Sequence, residues 1–459
     1  MMLALEPPSP YSKLLDAEPE AALPPQPKSV RDTGLPQQLL VELVAKALCL
    51  GGKSHLPVLT TKLHLSINVL REVLDFMVAE HVAEVAWRGE SDIDVQYQLT
   101  GAGRQRAGAW LERCPYAGPA PVTLEAYRAM VERHALHVPQ ACAEDLAAEF
   151  TDDFLAPPVQ RMLGAAMYAG RSMLLYGPSG SGKSMLARRL GALLQGLVAV
   201  PHALVVGQDI VQVYDPAVHR APQPRHARLA QQAPERRSGD PRWVLCQRPV
   251  VALDASLDAD MLDLRPDATS GCYRAPPQLK ANNGLLIVDD LGRHRMPAAE
   301  LLNRFAQAQE LERSALSLAG GYHFHVPCRM RLVFVTSLPP ASLLDDAALR
   351  RVGYKIPVAA LSAANYRTLL RQQCLSMGVA YDETALRYLL DELHAGSGLP
   401  LLACYPREIA GRVADFAGFM GEPARLSIAT LDQAWISMFA GGQPLAGATA
   451  ADDVEPRIA

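Results

Sequence analysis

A glycine-rich turn between an apolar strand and a helical pattern constrains the fold of this chain most strongly. Residues 172–194 read SMLLYGPSGSGKSMLARRLGALL, which contains the spacing G-x-x-x-x-G-K-S. Glycines let successive backbone N–H groups curl around an anion, the lysine adds a cation for phosphate oxygens, and the serine hydroxyl is a ligand for Mg²⁺. The stretch predicts a nucleotide-phosphate site with these residues: Gly177, Pro178, Ser179, Gly180, Ser181, Gly182, Lys183, Ser184 and Met185.

A second apolar run, LLIVDDLG over residues 285–292, ends on two aspartates. Adjacent carboxylates at the end of a buried strand repel each other unless a cation lies beside them. Because the chain also carries a phosphate-binding loop, we expect Mg²⁺ to be that cation, with Ser184 and Asp289 as ligands. Asp290 then has two alternative roles. It either orients the water that attacks the γ-phosphate or acts as a second carboxylate of the metal site.

Polar and basic residues continue this pattern along the chain. The apolar run RLVFVTSL ends on Thr336 and Ser337, whose hydroxyls could polarise water near the γ-phosphate. Arg350 and Arg351 follow at the end of a short helical pattern, and Arg407 stands at the start of a later helix.

In this order, the motifs resemble those of AAA+ ATPases over roughly residues 150–440. The resemblance implies an α/β fold: an AAA+ P-loop NTPase core with a parallel sheet and helices on both faces, over 150–358. A C-terminal helical lid would follow over 359–440. ATP and Mg²⁺ are the implied cofactors.

The resemblance also implies a role for each motif. Gly177–Ser184 would be Walker A and Asp289–Asp290 Walker B. Ser337, or alternatively Thr336, would be sensor 1, Arg350 or Arg351 the arginine finger given to a neighbour, and Arg407 sensor 2. Two positions depart from the usual family pattern. Ser337 stands where most members have asparagine, and Asp290 where most have glutamate, although DDLG is similar to helicase-loader-type members.

Two stretches resemble one branch of the family. GGYHFHVP is similar to the hairpin that precedes sensor 1 in the clade of MoxR-type chaperone ATPases. The stretch from RPVVALDASLDADMLDL to LRRVGYKI resembles bacterial chaperone-like ATPases linked to Flp pilus assembly. These resemblances imply a ring-shaped oligomer, expected to be a hexamer, that uses MgATP to remodel or assemble a protein partner.

Residues 35–115 have the element order of a winged helix-turn-helix domain. Three helical patterns, the third over 66–81 with Ser66 as N-cap, precede two alternating strands around a glycine-containing turn. Acidic residues outnumber the single basic one on the third helix: Arg71, Glu72, Asp75 and Glu80. Helices that read DNA need basic or amide side chains, so we expect this domain to dock a protein partner, with DNA binding or a purely structural role as the alternatives.

Basic residues that could hold DNA phosphates lie on the second helix and around the wing: Lys62, Arg88, Arg104 and Arg106. The remaining segments are assigned by composition. A Pro-rich arm over 1–34 and a tail over 441–459 are predicted to be disordered, and 116–149 to be a helical linker. The Arg- and Pro-rich segment over 214–243 is either a solvated loop or a basic loop lining the pore of a ring.

Composition limits the cellular setting. The net charge of -4 gives no general attraction to nucleic acid or to anionic membranes. The 8 cysteines occur singly, without C-x-x-C or zinc spacing, which favours a reducing compartment. The start lacks a signal-peptide pattern, and no apolar stretch is long enough to span a bilayer. We therefore expect a soluble, cytoplasmic protein.

Three functions fit these observations. The first is an AAA+ ATPase that remodels a protein partner. The second is a DNA-directed ATPase, a helicase loader or transcription activator, whose winged helix binds DNA. The third is a nucleotide-gated switch or scaffold with little turnover.

Overall fold

The computed structural model describes residues 23–90, 94–136, 142–150, 154–222, 239–267 and 269–439. These residues form two compact units. The larger unit comprises the described residues up to 150, then 156–176 and 184–356, and the smaller one comprises 154–155, 177–183 and 357–439. The tail predicted over 441–459 and the central part of the basic segment predicted over 214–243 lie outside the described residues.

The larger unit begins with the helix and strand order of a winged helix. Its elements are α1 (Gln37–Gly51), β1 (Ser54–His55), α2 (Leu56–Leu63), α3 (Ile67–Ala79), β2 (Ala83–Arg88), β3 (Val95–Leu99) and α4 (Gly101–Arg113). Ser66 caps α3 as predicted, because its hydroxyl accepts a hydrogen bond from the N–H of Val69 at 3.3 Å. The predicted hairpin of β2 and β3 is confirmed, and β1 pairs with the other edge of β3.

Helix α4 is absent from the sequence-based prediction. Its sequence, GAGRQRAGAWLER, contains three glycines, which lower helix propensity. One of them, Gly103, is required by packing, since a Cβ there would lie 1.9 Å from the carbonyl oxygen of Val82. Arg104 and Arg106 therefore lie on an exposed face of this helix and not around the wing.

Part of the arm that was predicted to be disordered packs against the winged helix instead. The described part, residues 23–34, is named here the N-terminal strap. The hydroxyl of Ser66 donates to the carbonyl of Pro27 at 2.7 Å, and the N–H of Val30 donates to the Glu72 carboxylate at 2.7 Å. Val30 is buried in the same core as α3, an apolar contact that the Pro-rich composition conceals.

The rest of the larger unit mixes helices and strands. Its helices are α5 (Leu124–Leu136), α6 (Ala143–Glu149), α7 (Pro157–Ala169), α8 (Lys183–Arg189), α9 (Pro277–Lys280), α10 (Ala298–Glu310), α11 (Pro340–Leu343) and α12 (Asp346–Arg351). Its strands are β4 (Val122–Thr123), β5 (Met173–Tyr176), β6 (Leu197–Pro201), β7 (Ala203–Val206), β8 (Asp209–Gln212), β9 (Trp243–Gln247), β10 (Val250–Leu253), β11 (Arg265–Asp267), β12 (Cys272–Arg274), β13 (Leu285–Val288), β14 (Arg313–Ser317), β15 (His323–Pro327), β16 (Arg331–Thr336) and β17 (Tyr354–Pro357).

The central sheet has five strands in the order β10-β13-β16-β5-β17. The pairings of β10 with β13, β13 with β16 and β16 with β5 are parallel. Every residue of β13 is buried, so both faces of the sheet are covered, as in other α/β proteins. On one face, Leu286 and Val288 pack with Leu302 and Phe305 of α10. The carboxyl ends of β5, β16 and β13 consequently meet at one edge of the sheet.

A second sheet, in the order β11-β12-β8-β7-β4, is built mainly from residues between α8 and α9. Its strand β4 comes from 116–149, the segment predicted as a helical linker, and pairs Val122 with Leu204. That segment therefore supplies a strand as well as helix α5. Strands β14 and β15 form the hairpin that GGYHFHVP predicts, with Ser317 opposite His323.

The smaller unit is helical beyond residue 362, in agreement with the helical pattern predicted over 359–440. Its helices are α13 (Ala363–Ser376), α14 (Glu383–Tyr388), α15 (Ala395–Ser397), α16 (Tyr405–Met420) and α17 (Ile428–Met438), with a π-helical turn at Leu389–His394. The Tyr366 hydroxyl and the His394 ring, both buried, are joined at 2.9 Å.

Candidate functional site

The glycine-rich turn lies in the smaller unit, and its glycines have backbone conformations that other residues rarely adopt. Gly177, Gly180 and Gly182 have φ angles of 149°, 84° and 90°. Space is equally restrictive at two of them. A Cβ on Gly177 would lie 2.1 Å from the carbonyl oxygen of Val358, and one on Gly180 would lie 2.5 Å from the Cys404 sulfur. The turn therefore needs glycine both for its shape and for its close contacts.

Lys183 is folded onto this turn. Its buried ammonium donates to the carbonyl oxygens of Gly177 at 2.9 Å and Pro178 at 2.7 Å. Buried ammonium groups need such partners, because their desolvation is costly. Phosphate oxygens could replace these carbonyls without leaving the charge unpaired. Among the other loop residues, Ser181 is buried, whereas Pro178, Ser179 and Met185 are exposed.

Ser184 follows Lys183 in the chain and belongs to the larger unit, where it meets Asp289. The Ser184 hydroxyl donates to Oδ1 of Asp289 at 2.8 Å. The same carboxylate oxygen accepts the N–H of Asp290 at 3.0 Å. Asp289 is only 8% exposed and directly follows strand β13, so its position is set by the central sheet. The sequence prediction that joined these two residues, which are 105 positions apart, corresponds to a direct contact.

This pair has the chemistry of a magnesium site. A hydroxyl and a carboxylate, both oxygen ligands, converge at the edge of a parallel sheet, directly after a turn that can hold phosphates. Hard cations such as Mg²⁺ prefer oxygen ligands and are usually bound by few protein groups together with water and phosphate. The residues present therefore fit a magnesium ion bound together with a nucleotide.

Asp290 differs from Asp289 in exposure and in backbone conformation. It is exposed, and its φ angle of 53° lies in the left-handed region, which aspartate tolerates better than most residues. Its carbonyl accepts the N–H of Arg293 at 2.9 Å. The next residue stays at the sheet, since the N–H of Leu291 donates to the carbonyl of Val335 at 2.8 Å, whereas Asp290 itself is exposed to water.

The structure separates the two hydroxyls at the end of β16. Thr336 is buried, and its hydroxyl donates to the carbonyl of Leu291 at 2.8 Å. Ser337 is partly exposed, and its hydroxyl lies 3.4 Å from a guanidinium nitrogen of Arg293. Thr336 is therefore engaged in holding two strand ends together, and Ser337 is the accessible hydroxyl.

The paired arginines of α12 also have different surroundings. The guanidinium of Arg351 donates to the Asn303 side chain at 2.9 Å and lies 3.8 Å from the Glu310 carboxylate, so it is engaged with α10. Arg350 is exposed, and within the described residues it makes no ion pair with an acidic side chain. Arg407 lies in the smaller unit, exposed on the first turn of α16.

Sequence reasoning missed three neighbours of the predicted residues. Arg188 on α8 lies 3.9 Å from Asp289, Arg293 lies beside Ser337, and the N–H of Cys404 donates to the carbonyl of Gly180 at 3.0 Å. Only Arg188 has a detectable signal, since it stands four residues after Ser184 and thus on the same helix face.

The described residues form an α/β fold in which a five-stranded sheet is combined with a glycine-rich loop of the P-loop type, with a winged-helix element order earlier in the chain and a helical region later in it. Strand β16, which Ser337 follows, lies between β5, which precedes the glycine-rich loop, and β13, which Asp289 follows. The model of the family "Magnesium chelatase, subunit ChlI" matches residues 157–211, and that of a "Domain of unknown function (DUF8689)" matches residues 362–437. No curated protein matches the sequence significantly.

Solved structures match at low identity. NtrX from Brucella abortus in complex with ATP is 13% identical, with a TM-score of 0.39, over 63% of this chain and 56% of NtrX. The RuvB Holliday junction branch migration motor of Thermotoga maritima is 14% identical, with a TM-score of 0.36, over 64% of this chain and 72% of RuvB. The chain thus spans little more than half of NtrX, and neither likeness assigns a function.

Proposed function

We propose that this protein is an ATPase that binds MgATP and couples its hydrolysis to remodelling or assembly of a protein partner. The contact between Ser184 and Asp289 carries the proposal, since it supplies two oxygen ligands for Mg²⁺ directly after a phosphate-binding loop. Bound Mg²⁺ would neutralise charge on the phosphate oxygens during transfer. Lys183 would exchange its loop carbonyls for phosphate oxygens.

Asp290 is proposed to orient the attacking water. Its exposed carboxylate directly follows Asp289, the proposed metal ligand. Ser337 would assist by holding a water or a phosphate oxygen through its accessible hydroxyl. Arg407 is proposed as the sensor 2 residue on the resemblance of its motif.

Assembly is part of the proposal. An arginine that neutralises charge on a γ-phosphate can accelerate related reactions by about 10³ to 10⁵. Arg350 suits donation to a neighbouring subunit, because it is exposed while Arg351 is engaged with α10. We therefore propose a homo-oligomeric ring, as a hexamer, with Arg350 acting in trans.

A protein partner is favoured over DNA by the surroundings of α3. The N-terminal strap covers the start of this helix, where Ser66 and Glu72 bond to strap backbone groups. Asp75 and Glu80 remain exposed and would repel phosphates. The sequence resemblance to chaperone-like ATPases of pilus assembly suggests a secretion or pilus component as this partner.

A cytoplasmic location is also proposed. All 8 cysteines of the chain are free thiols, which suits a reducing compartment. Among the described residues, no helix has both the length and the apolar character needed to cross a bilayer.

ATP turnover by the purified chain tests the proposal. Lys183→Ala should abolish nucleotide binding, whereas Asp290→Asn should keep binding and reduce turnover by about tenfold or more, as expected for loss of a general base. Lys53→Ala, which removes an exposed lysine of the winged helix, is the control and should match the wild type. Wild-type turnover by Asp290→Asn would exclude the water-orienting role, and turnover by Lys183→Ala would exclude the site.

The partner is tested with the full chain. The Asp290→Asn variant, locked with ATP, should retain a protein partner, and duplex DNA should bind no better than about 10⁻⁶ M at physiological salt. Nanomolar binding to one DNA sequence would instead support the DNA-directed alternative. If the protein binds nucleotide but hydrolyses no ATP under any condition, the result would support the nucleotide-gated switch.

A further inference from the structure

Arg188 approaches the proposed magnesium ligand from the helix that carries the other ligand. Ser184 and Arg188 are four residues apart on α8, so both side chains lie on one face of the helix. The Ser184 hydroxyl contacts Oδ1 of Asp289 at 2.8 Å, and a guanidinium nitrogen of Arg188 lies 3.9 Å from Oδ2. Both carboxylate oxygens of Asp289 therefore face a group on α8.

Arg188 places a positive charge from the protein itself beside Asp289. Asp289 is nearly buried, and a carboxylate in such a place is costly without a nearby positive charge. Arg188 is 62% exposed, so its guanidinium can move away into water at little cost. The buried Asp289 carboxylate and the exposed Arg188 guanidinium therefore form an ion pair in which another cation can take the place of Arg188.

We propose that Arg188 is a positioning residue that competes with Mg²⁺ for Asp289. This inference rests on the proposed function, because it concerns the same magnesium site. When Mg²⁺ is absent, Arg188 neutralises Asp289 and keeps its carboxylate oriented toward Ser184. When Mg²⁺ binds, the two cations repel each other, and Arg188 turns outward to solvent. Arg188 thereby raises the Mg²⁺ concentration needed to load the site.

The exposure of Arg188 limits how much its removal can change Mg²⁺ binding. Solvent-exposed ion pairs are weak and are screened by salt, so removal of Arg188 should lower the half-saturating Mg²⁺ concentration by about two- to fivefold. Salt should diminish the difference, because the Debye length falls as ionic strength rises.

The experiment measures binding of a fluorescent ATP analogue to the full chain while Mg²⁺ is titrated from an EDTA-treated state. Arg188→Met keeps the length of the side chain and removes its charge, and it should shift the Mg²⁺ midpoint downward. Arg188→Lys should leave the midpoint near the wild-type value. Arg161→Met, which removes an exposed arginine from α7, controls for a general change in protein charge.

The variant Asp289→Asn tests whether Arg188 acts through Asp289. If Arg188 acts through Asp289, Arg188→Met should shift the midpoint in the wild-type background and have no further effect in the Asp289→Asn background. An unchanged midpoint in Arg188→Met, with normal Mg²⁺-dependent binding by the wild type, overturns this inference and leaves the proposed function standing. An equal shift in Arg161→Met also overturns it. Failure of the wild type to bind the nucleotide overturns both the inference about Arg188 and the proposed function.

Discussion

The backbone N–H of Cys404 donates to the carbonyl oxygen of Gly180 at 3.0 Å. This bond joins the residue before helix α16 to the middle of the glycine-rich turn, within the smaller unit. The shape of the turn therefore depends on residues more than 200 positions away, as well as on its own glycines.

Gly180→Ala should impair nucleotide binding more than it impairs folding. The added Cβ would lie 2.5 Å from the Cys404 sulfur, at a φ angle of 84° that alanine rarely adopts. Strain of this kind costs about 1–3 kcal/mol, which the turn can relieve only by changing shape. Equilibrium binding of an ATP analogue, alongside urea unfolding, separates the two effects.

Gly418→Ala is the matched control, because Gly418 lies inside α16 with open space around its Cβ position. Alanine there should stabilise the protein by about 0.5–1 kcal/mol, since glycine is a poor helix former. Normal nucleotide affinity in Gly180→Ala would show that the turn tolerates a side chain and would contradict the argument.

Arg350→Ala should reduce ATP turnover far more than Arg351→Ala. Arg350 is exposed, whereas Arg351 is bound to Asn303 and lies near Glu310 of α10. Loss of Arg351 should therefore cost mainly stability, by about 1 kcal/mol for one hydrogen bond. Turnover at saturating ATP and unfolding free energy are measured for each variant.

Mixing subunits tests whether the arginine acts in trans. Arg350→Ala subunits combined with Lys183→Ala subunits should recover part of the turnover that each lacks alone. If Arg350→Ala and Arg351→Ala lost the same amount of turnover and neither lost stability, the assignment of the catalytic role to Arg350 alone would be wrong. Full turnover by a monomeric wild type would remove the trans role.

Much of the candidate site could be predicted from the sequence because its parts are local motifs. Ser184 and Asp289 each stand at a fixed place beside an apolar strand, and parallel strands bring their carboxyl ends to one edge. The cap at Ser66 is equally local, since its partner is the N–H of Val69 three residues on.

What the sequence concealed depends on contacts between distant segments. Strand β4 has two residues and becomes a strand only by pairing Val122 with Leu204, so it has no periodicity to detect. The strap is held by contacts with distant residues, among them the bonds of Pro27 to Ser66 and of Val30 to Glu72, in a composition that otherwise indicates disorder. Helix α4 tolerates Gly103 because Val82 leaves no room for a larger residue.

Arg242→Met should strongly destabilise the larger unit. The Arg242 guanidinium is buried at 5% exposure, forms an ion pair with Asp240 at 2.7 Å and donates to the carbonyls of Thr33 at 3.0 Å and Pro121 at 3.2 Å. It thus ties the strap and the segment before β4 to strand β9. Removing one partner of a buried pair costs about 3–5 kcal/mol, because the other charge stays buried and unpaired.

Urea unfolding measures this loss, and a second variant tests its cause. Asp240→Asn combined with Arg242→Met removes both charges, so it should be more stable than Arg242→Met alone. A double variant no more stable than the single one would show that the hydrogen bonds to Thr33 and Pro121, and not the unpaired charge, dominate.

The unfolding free energy should decrease as pH falls below neutrality, in part through His202. Burial and the neighbouring His64 ring lower the pKa of His202 from 6.5 to about 4. The ring lies between those of His64, at 4.5 Å, and Tyr214, at 5.2 Å. Because the folded-state pKa is depressed, the unfolded chain binds a proton between pH 6.5 and 4 that the folded chain does not. The contribution of His202 is therefore complete above pH 6.5 and is lost progressively below it.

His202→Phe isolates this contribution, since phenylalanine keeps a ring between His64 and Tyr214 but cannot take up a proton. The ring of His202 is partly exposed, so we expect the stability difference between the wild type and this variant to change by about 1 kcal/mol between pH 7 and pH 5, in the direction that favours the variant at low pH. Urea unfolding at both pH values measures it, with His323→Gln, on the exposed side of β15, as the control. A difference that stays constant between pH 7 and pH 5 would mean that His202 binds its proton equally well in the folded and unfolded chains.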